Sequence, residues 1–246
     1  MAMRASLNSL RRSRVAFGLN QRRLRIESHP LMPAGSLRGA RGRSELTVAL
    51  SYDDGPSPAN TPDLLDMLAG AGAHATFFVV GSEVVRYPAL AARIAAEGHE
   101  LGNHSYSHAH PRGLGDIELR REVERGARAI ADAAAEPRLY RPPFGKRARA
   151  ATTICAQLGY TSVLWSIDSG DTMNFSAARI SDEVVSRVEA GDIVLLHDGG
   201  SRRQRTLDAT ESVVNRLSAR GYHFVTVSEL LGITPSRLVE RIDLST

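Results

Sequence analysis

At 246 residues, with 42% hydrophobic and 24% charged side chains, the chain can bury a full core and has the make-up of a globular protein rather than a disordered or fibrous one. Its single cysteine, Cys155, excludes an internal disulfide and a zinc site built from several thiolates. The net charge of +4 is no nucleic-acid signature, because residues 1–43 hold ten arginines against one acid, Glu27, and the remainder is left at −5.

Residues 1–43 show no sustained periodicity and carry Pro30, Pro33, Gly35, Gly39 and Gly42. They are expected to form a flexible basic arm ahead of a single domain, 44–246. Arg11-Arg12 has the form of a twin-arginine export signal, but the apolar run behind it, Val15-Ala16-Phe17-Gly18-Leu19, is too short for one. An arginine-rich, acid-poor leader equally fits an organelle transit peptide or a start codon placed too early. With no recognisable signal peptide and no run of transmembrane length, a cytoplasmic location is expected.

From Leu46 onward, apolar runs alternate with helical periods. Strands are expected over 46–52, 75–80, 100–103, 139–141, 162–165, 193–197 and 224–227. Helices are expected over 62–71, 84–97, 117–134, 147–158, 177–189 and 207–220. This βα alternation predicts a parallel sheet or barrel. Gly72, Gly98, Gly159, Gly191 and Gly221 each follow a helix, where a left-handed cap suits glycine. Cys155 falls inside a helical apolar pattern and is read as a buried, inert thiol.

The first strand stops at Asp53-Asp54-Gly55-Pro56. Two adjacent acids repel, and a bound cation would hold one of them ionised while leaving the other to move protons. A solvated turn is the bland alternative. The placement of the other polar groups favours the first reading. His104, Arg141, Asp168 and His197 each sit at or just past the C-terminal end of an expected strand, the face on which parallel barrels build active sites. His104 and His108 are four apart, so one helical turn would bring both imidazoles to one ion. With one carboxylate from Asp53 or Asp54 they make a two-histidine, one-carboxylate set with coordination left open. Zn²⁺ is the first choice for such a set, and other divalent transition metals suit it too. His99 and His110 are expected to be peripheral.

Five stretches in order carry a family resemblance: Ser51-Tyr52-Asp53-Asp54-Gly55-Pro56, His104-Ser105-Tyr106-Ser107-His108, Arg141-Pro142-Pro143-Phe144, Asp168-Ser169-Gly170-Asp171 and Leu195-Leu196-His197. Together they resemble the motifs of the polysaccharide deacetylases, the NodB-homology enzymes of carbohydrate esterase family 4. The resemblance runs from about Leu46 to Leu231. It implies an α/β fold, a distorted NodB-like (β/α)7 barrel, and metal-dependent removal of acetyl groups, usually from N-acetylglucosamine units. It also implies Asp53 as general base, Asp54, His104 and His108 as metal ligands, and His197 as general acid. Arg141 would orient Asp53, and Asp168 or Asp171 would do the same for His197. Phe144, through its backbone N–H, would border the substrate; Trp165 and Leu195 are read as packing residues and also as candidates to border it, Leu195 as a wall for the acetyl methyl.

Two departures from the pattern stand out. Ser51-Tyr52 replaces the usual Thr-Phe, and Thr172 follows Asp171 where the family commonly has a tryptophan to wall the sugar groove. With aromatic content of 5% and no appended carbohydrate-binding module, a small or soluble acetylated carbohydrate is the expected partner, with no nucleic acid. The rival readings are a deacylase of non-sugar N-acyl amides and a catalytically silent sugar-binding barrel. A silent binder has no need of both Asp53 and His197.

Overall fold

The computed structural model describes residues 45–146 and 148–233. The expected basic arm lies outside them. Eight short strands, all parallel, form one sheet: β1 (Thr47–Asp53), β2 (Ala75–Val79), β3 (Glu100–Asn103), β4 (Leu139–Tyr140), β5 (Thr161–Ser162), β6 (Ile167–Asp168), β7 (Ile193–His197) and β8 (His223–Phe224). The order across the sheet is β5-β4-β3-β2-β1-β7-β6, with β8 added beside the start of β1. The connecting helices are α1 (Thr61–Gly70), α2 (Gly81–Arg86), α3 (Pro88–Ala96), α4 (Asp116–Ala133), α5 (Ala148–Gln157), α6 (Ala177–Arg187), α7 (Gln204–Ser218) and α8 (Val227–Leu231). The sheet curls into the expected distorted barrel.

Period-two alternation divides each central strand between two cores. Val48, Leu50 and Tyr52 of β1 and Val194 and Leu196 of β7 pack outward with residues of the surrounding helices, Leu64, Leu68, Ile94, Val184 and Val213 among them. Ala49 and Ile193 face inward with Phe78, Leu139 and Val163, and Val227, Leu230 and Leu231 of α8 plug that end of the barrel. Ser51 and Leu195 are register partners, as are Asp53 and His197. Following the alternation upward, Ser51 and Leu195 make the next inward layer, and Asp53 and His197 the layer at the mouth. The pattern that buries the barrel therefore also delivers two reactive side chains to its open end.

Local chemistry explains where the elements differ from those expected. The helix expected over 84–97 is two, α2 and α3, broken where Tyr87 (φ −130°, ψ 57°) precedes Pro88. The strand expected over 162–165 stops at Ser162. Residues 163–166 leave the sheet and cross from β5 at one edge to β6 at the other, held by Val163 N–H to Tyr140 O (2.8 Å) and Ser166 N–H to Ile193 O (3.0 Å). The strand expected over 224–227 is cut short because Thr226 and Glu229 form a reciprocal capping box that starts α8. The five helix-terminating glycines adopt the left-handed conformation, with φ between 61° and 89°. Cys155 is buried within α5, and burial pushes its thiol up to about 12, which leaves it unreactive. No helix among the described residues is long and apolar enough to cross a membrane.

Candidate active site

β1 ends at Asp53, and Asp54 turns the chain in the left-handed region (φ 75°). The Gly199 backbone runs directly over Asp54, so close that a Cβ on Gly199 would lie 2.3 Å from the Asp54 Cβ. A Cβ on Gly55 would meet the Asp198 carboxylate at 2.5 Å. Both glycines are required by close approach.

Asp53 is buried, and its Oδ1 accepts from Arg141 Nη1 at 2.7 Å. The same Nη1 donates to Ser51 Oγ (3.0 Å) and Nη2 to Leu164 O (3.2 Å). The Arg141 Cζ lies 3.9 Å from the centre of the Phe78 ring, and the whole side chain is buried. Burial disfavours the charged guanidinium, while the Asp53 carboxylate works against that cost.

His104 and His108 meet as expected, with ring centres 5.0 Å apart, but no helical turn brings them together. They lie on an irregular loop in which Ser105 and His108 adopt positive φ (68° and 55°), and Ser105 Oγ accepts from His108 N–H at 3.0 Å. His104 Nδ1 lies 2.8 Å from Arg141 O, an atom that can only accept, so Nδ1 carries the proton and Nε2 offers a lone pair. Asp54 Oδ1 stands 3.4 Å from His104 Nε2 and 3.1 Å from His108 Nε2. That oxygen is buried without a hydrogen-bond donor of good geometry. The three ligand atoms lie within 4.8 Å of one another. Two ring nitrogens and a carboxylate oxygen so disposed suit a divalent cation between them. Burial alone would raise the Asp54 carboxyl, yet the two imidazoles outweigh it and hold the group far below the usual carboxylate range.

On the other side of Asp53, the His197 Nδ1–H donates to Asp171 Oδ1 at 2.8 Å. Asp171 Oδ2 accepts from His197 N–H (2.9 Å) and from Thr206 Oγ1 (3.0 Å), which fixes the carboxylate in place. Burial would lower the imidazole, but Asp171, seconded by the charges of Asp53 and Asp54, raises it. Of the two acids of the fourth motif, Asp171 is the one that reaches His197. Asp168 is exposed, and its carboxylate accepts from Gly170 N–H (2.9 Å) instead, so its expected role at His197 is corrected.

Phe144 is half exposed, in a tight turn with φ 59°, its ring centre 4.8 Å from that of His108 and 4.9 Å from that of His110. His110 thus borders the site, whereas His99 sits at the start of β3, at the opposite end, where its Nδ1 accepts from Ala75 N–H. Trp165 is partly buried beside Arg141, and Leu195 is buried in the layer beneath His197. Thr172 and Met173 are exposed on the loop after Asp171.

His197-Asp198-Gly199-Gly200 reads as a strand running into an open loop, but Asp198 and Gly199 are buried. The Asp198 carboxylate accepts from Thr61 Oγ1, and its backbone N–H donates to Asp53 O at 3.1 Å. Burial pushes this carboxyl up to about 7; the Thr61 hydroxyl opposes that, and Asp54 and Asp53 add to it. Asn60 ties the two loops together, donating to Asp198 O and Ser201 O (2.9 Å each) and accepting from Arg203 N–H (2.8 Å). Sequence reasoning missed this brace, although its polar residues, Ser57, Asn60 and Thr61, follow the Gly-Pro turn directly.

Comparison with known proteins gives the chain its family. Residues 40–163 match the family model described as polysaccharide deacetylase. A peptidoglycan-N-acetylglucosamine deacetylase of Bacillus cereus is 39% identical over 203 residues, covering 82% of this chain and 95% of the relative. A chitooligosaccharide deacetylase of a Bradyrhizobium is 34% identical over 209 residues, covering 80% and 93%. The family 4 carbohydrate esterase from Streptomyces lividans, solved in complex with acetate, superposes with a TM-score of 0.68 at 35% identity over 72% of this chain and 91% of that one. Fold and relatives together define a hydrolytic carbohydrate deacetylase. The chain belongs to the polysaccharide deacetylase family, the NodB-homology group of carbohydrate esterase family 4.

Proposed function

We propose that this protein removes N-acetyl groups from N-acetylglucosamine units of a short, soluble glycan, using one divalent ion, most simply Zn²⁺, held by Asp54, His104 and His108. The observation that carries the reading is that a buried Asp53–Arg141 pair and a half-buried His197–Asp171 pair flank that ligand set, Asp53 and His197 standing on adjacent strands in direct register. The bound ion supplies Lewis-acid polarisation of the acetyl carbonyl and its attacking water. Asp53, with Arg141 as its counter-charge, accepts the proton of that water. His197, whose imidazole Asp171 raises, gives a proton to the departing amine, which is otherwise a poor leaving group. The Phe144 backbone N–H borders the developing oxyanion, Leu195 lies under the acetyl methyl, and Trp165 flanks the cleft. The exposed Thr172 supports a short substrate, since no aromatic face clamps a longer strand there.

The test is acetate release from N-acetylglucosamine oligomers before and after exhaustive chelation. Turnover is expected to vanish with the metal and return when Zn²⁺ is restored, and His104→Ala should lose bound metal and turnover together. Full activity after chelation, or metal retained by His104→Ala, would refute the ligand assignment.

Asp171→Asn gives a separate check through pH. Asp171 raises the His197 imidazole, so its loss should bring the alkaline limb of the kcat/KM profile to lower pH, as the acid form disappears earlier. A limb that stays in place would remove His197 from the role of acid.

A further inference from the structure

Among the described residues the buried acids are Asp53, Asp171 and Asp198, and the chemistry above uses only the first two. Thr61 Oγ1, at the first residue of α1, accepts from Ser57 N–H at 2.8 Å and directs its own proton to Asp198 Oδ2. The other oxygen, Asp198 Oδ1, is buried with no donor among the described residues. An acceptor left so is costly, and it marks a group held in place by what it presses on. That is Gly55: a Cβ there would fall 2.5 Å from both carboxylate oxygens and 2.7 Å from Cγ, so the carboxylate lies face-on against the glycine. Just past β2, Val80 N–H holds Gly55 O at 2.8 Å. Asp198 N–H and Gly199 N–H both donate to Asp53 O, at 3.1 and 3.3 Å. Between Asp53 and Gly55 stands Asp54, whose φ of 75° is disfavoured for a residue with a side chain. A conformation of this kind persists only where its neighbours leave no alternative. It is also the conformation in which Asp54 Oδ1 meets the two imidazoles, 3.4 Å from His104 Nε2 and 3.1 Å from His108 Nε2.

We infer that Asp198 is a positioning residue for the metal ligand Asp54, a wedge that is seated on Thr61 and presses the Gly55 backbone so that the Asp54 turn keeps its left-handed form. This rests on the ligand assignment above and adds to it the residue that prepares the site. The role is one of shape. An ion that enters a turn already set does not have to bend it, and affinity gains accordingly.

The experiment measures the Zn²⁺ affinity of the metal-free full chain by competition with a chromophoric chelator, with circular dichroism and urea unfolding recorded for each variant. Asp198→Ala is expected to weaken Zn²⁺ by about 10- to 100-fold, the range for residues that orient a metal ligand. Asp198→Asn keeps the volume and an acceptor for Thr61, and should bind Zn²⁺ almost as wild type does. Thr61→Val keeps the shape of the seat and removes its donor; it should weaken Zn²⁺ too, and it carries the test if the alanine variant does not fold. Wild-type affinity in the folded variants, with only the unfolding midpoint lowered, would give Asp198 a purely structural part and overturn the inference, leaving the ligand assignment standing. A loss in Asp198→Asn as large as that in Asp198→Ala would overturn it as well, since charge and not shape would then draw the ion. If wild type takes up no Zn²⁺, or His104→Ala binds it as tightly as wild type, the ligand assignment itself falls.

Discussion

Asp53→Asn is expected to lower turnover by about 10²–10⁴-fold, the contribution typical of a positioned general base, while the protein keeps its metal and its fold. The amide oxygen can still accept from Arg141 Nη1, so the buried contact at 2.7 Å survives the substitution. What the amide cannot do is take a proton from water. Asp53 Oδ2 stands 3.6 Å from His104 Nε2, farther than Asp54 Oδ1, and only Asp54 stands close to both imidazoles. The variant should therefore bind Zn²⁺ with wild-type stoichiometry, read by competition against a chromophoric chelator. Activity above about a tenth of wild type, or loss of the ion, would exchange the roles of the two aspartates.

Arg141→Leu should cost about 3–5 kcal/mol of stability, the range for removing one partner of a buried ion pair and stranding the other. Its guanidinium is fully buried and is shared among Asp53, Ser51 and Leu164 O. A leucine would leave the buried carboxylate without a counter-charge. Arg141→Lys should lose less stability, because it keeps the charge, but not the fork that reaches three acceptors. Urea unfolding followed by circular dichroism reads both, with the single tryptophan, Trp165, as a second probe 5.7 Å from Cζ. A loss below about 1 kcal/mol for Arg141→Leu would mean that the pair is screened as surface pairs are.

The barrel and most of its site were legible because apolar periodicity and strand-end polar residues are written locally. The alternation that buries Ala49 and Leu50 on opposite faces is the same one that aims Asp53 inward. The difference at 163–166 has a different origin, since Val163-Leu164-Trp165 is as apolar as a strand, and only the gap between β5 and β6 tells the chain to cross instead of pair. At Thr226 the start signal was present in the sequence, a Thr-x-x-Glu capping box, but the apolar run before it was read through into a strand. The approach of His104 and His108 was right in outcome and different in cause, because two positive-φ residues do the work assigned to a helical turn. The choice between Asp168 and Asp171 needed three dimensions, since Asp168 ends β6, Asp171 comes three residues later, and only Asp171 reaches His197. Asp198 was hidden for the same reason: nothing in a His-Asp-Gly-Gly run tells a buried brace from a solvated loop.

The two glycines pressed against Asp198 and Asp54 also bear on how this catalyst can diversify. Gly55 lies under Asp198 and Gly199 lies over Asp54, so the innermost ring has no vacancy for even a methyl group. New substrate preferences must therefore arise at the periphery, from positions such as Thr172 and Met173, whose exposed side chains can be exchanged without disturbing the reactive centre. A combinatorial library confined to that rim should yield altered selectivity with intact chemistry, and one aimed at the glycines should yield inactive clones.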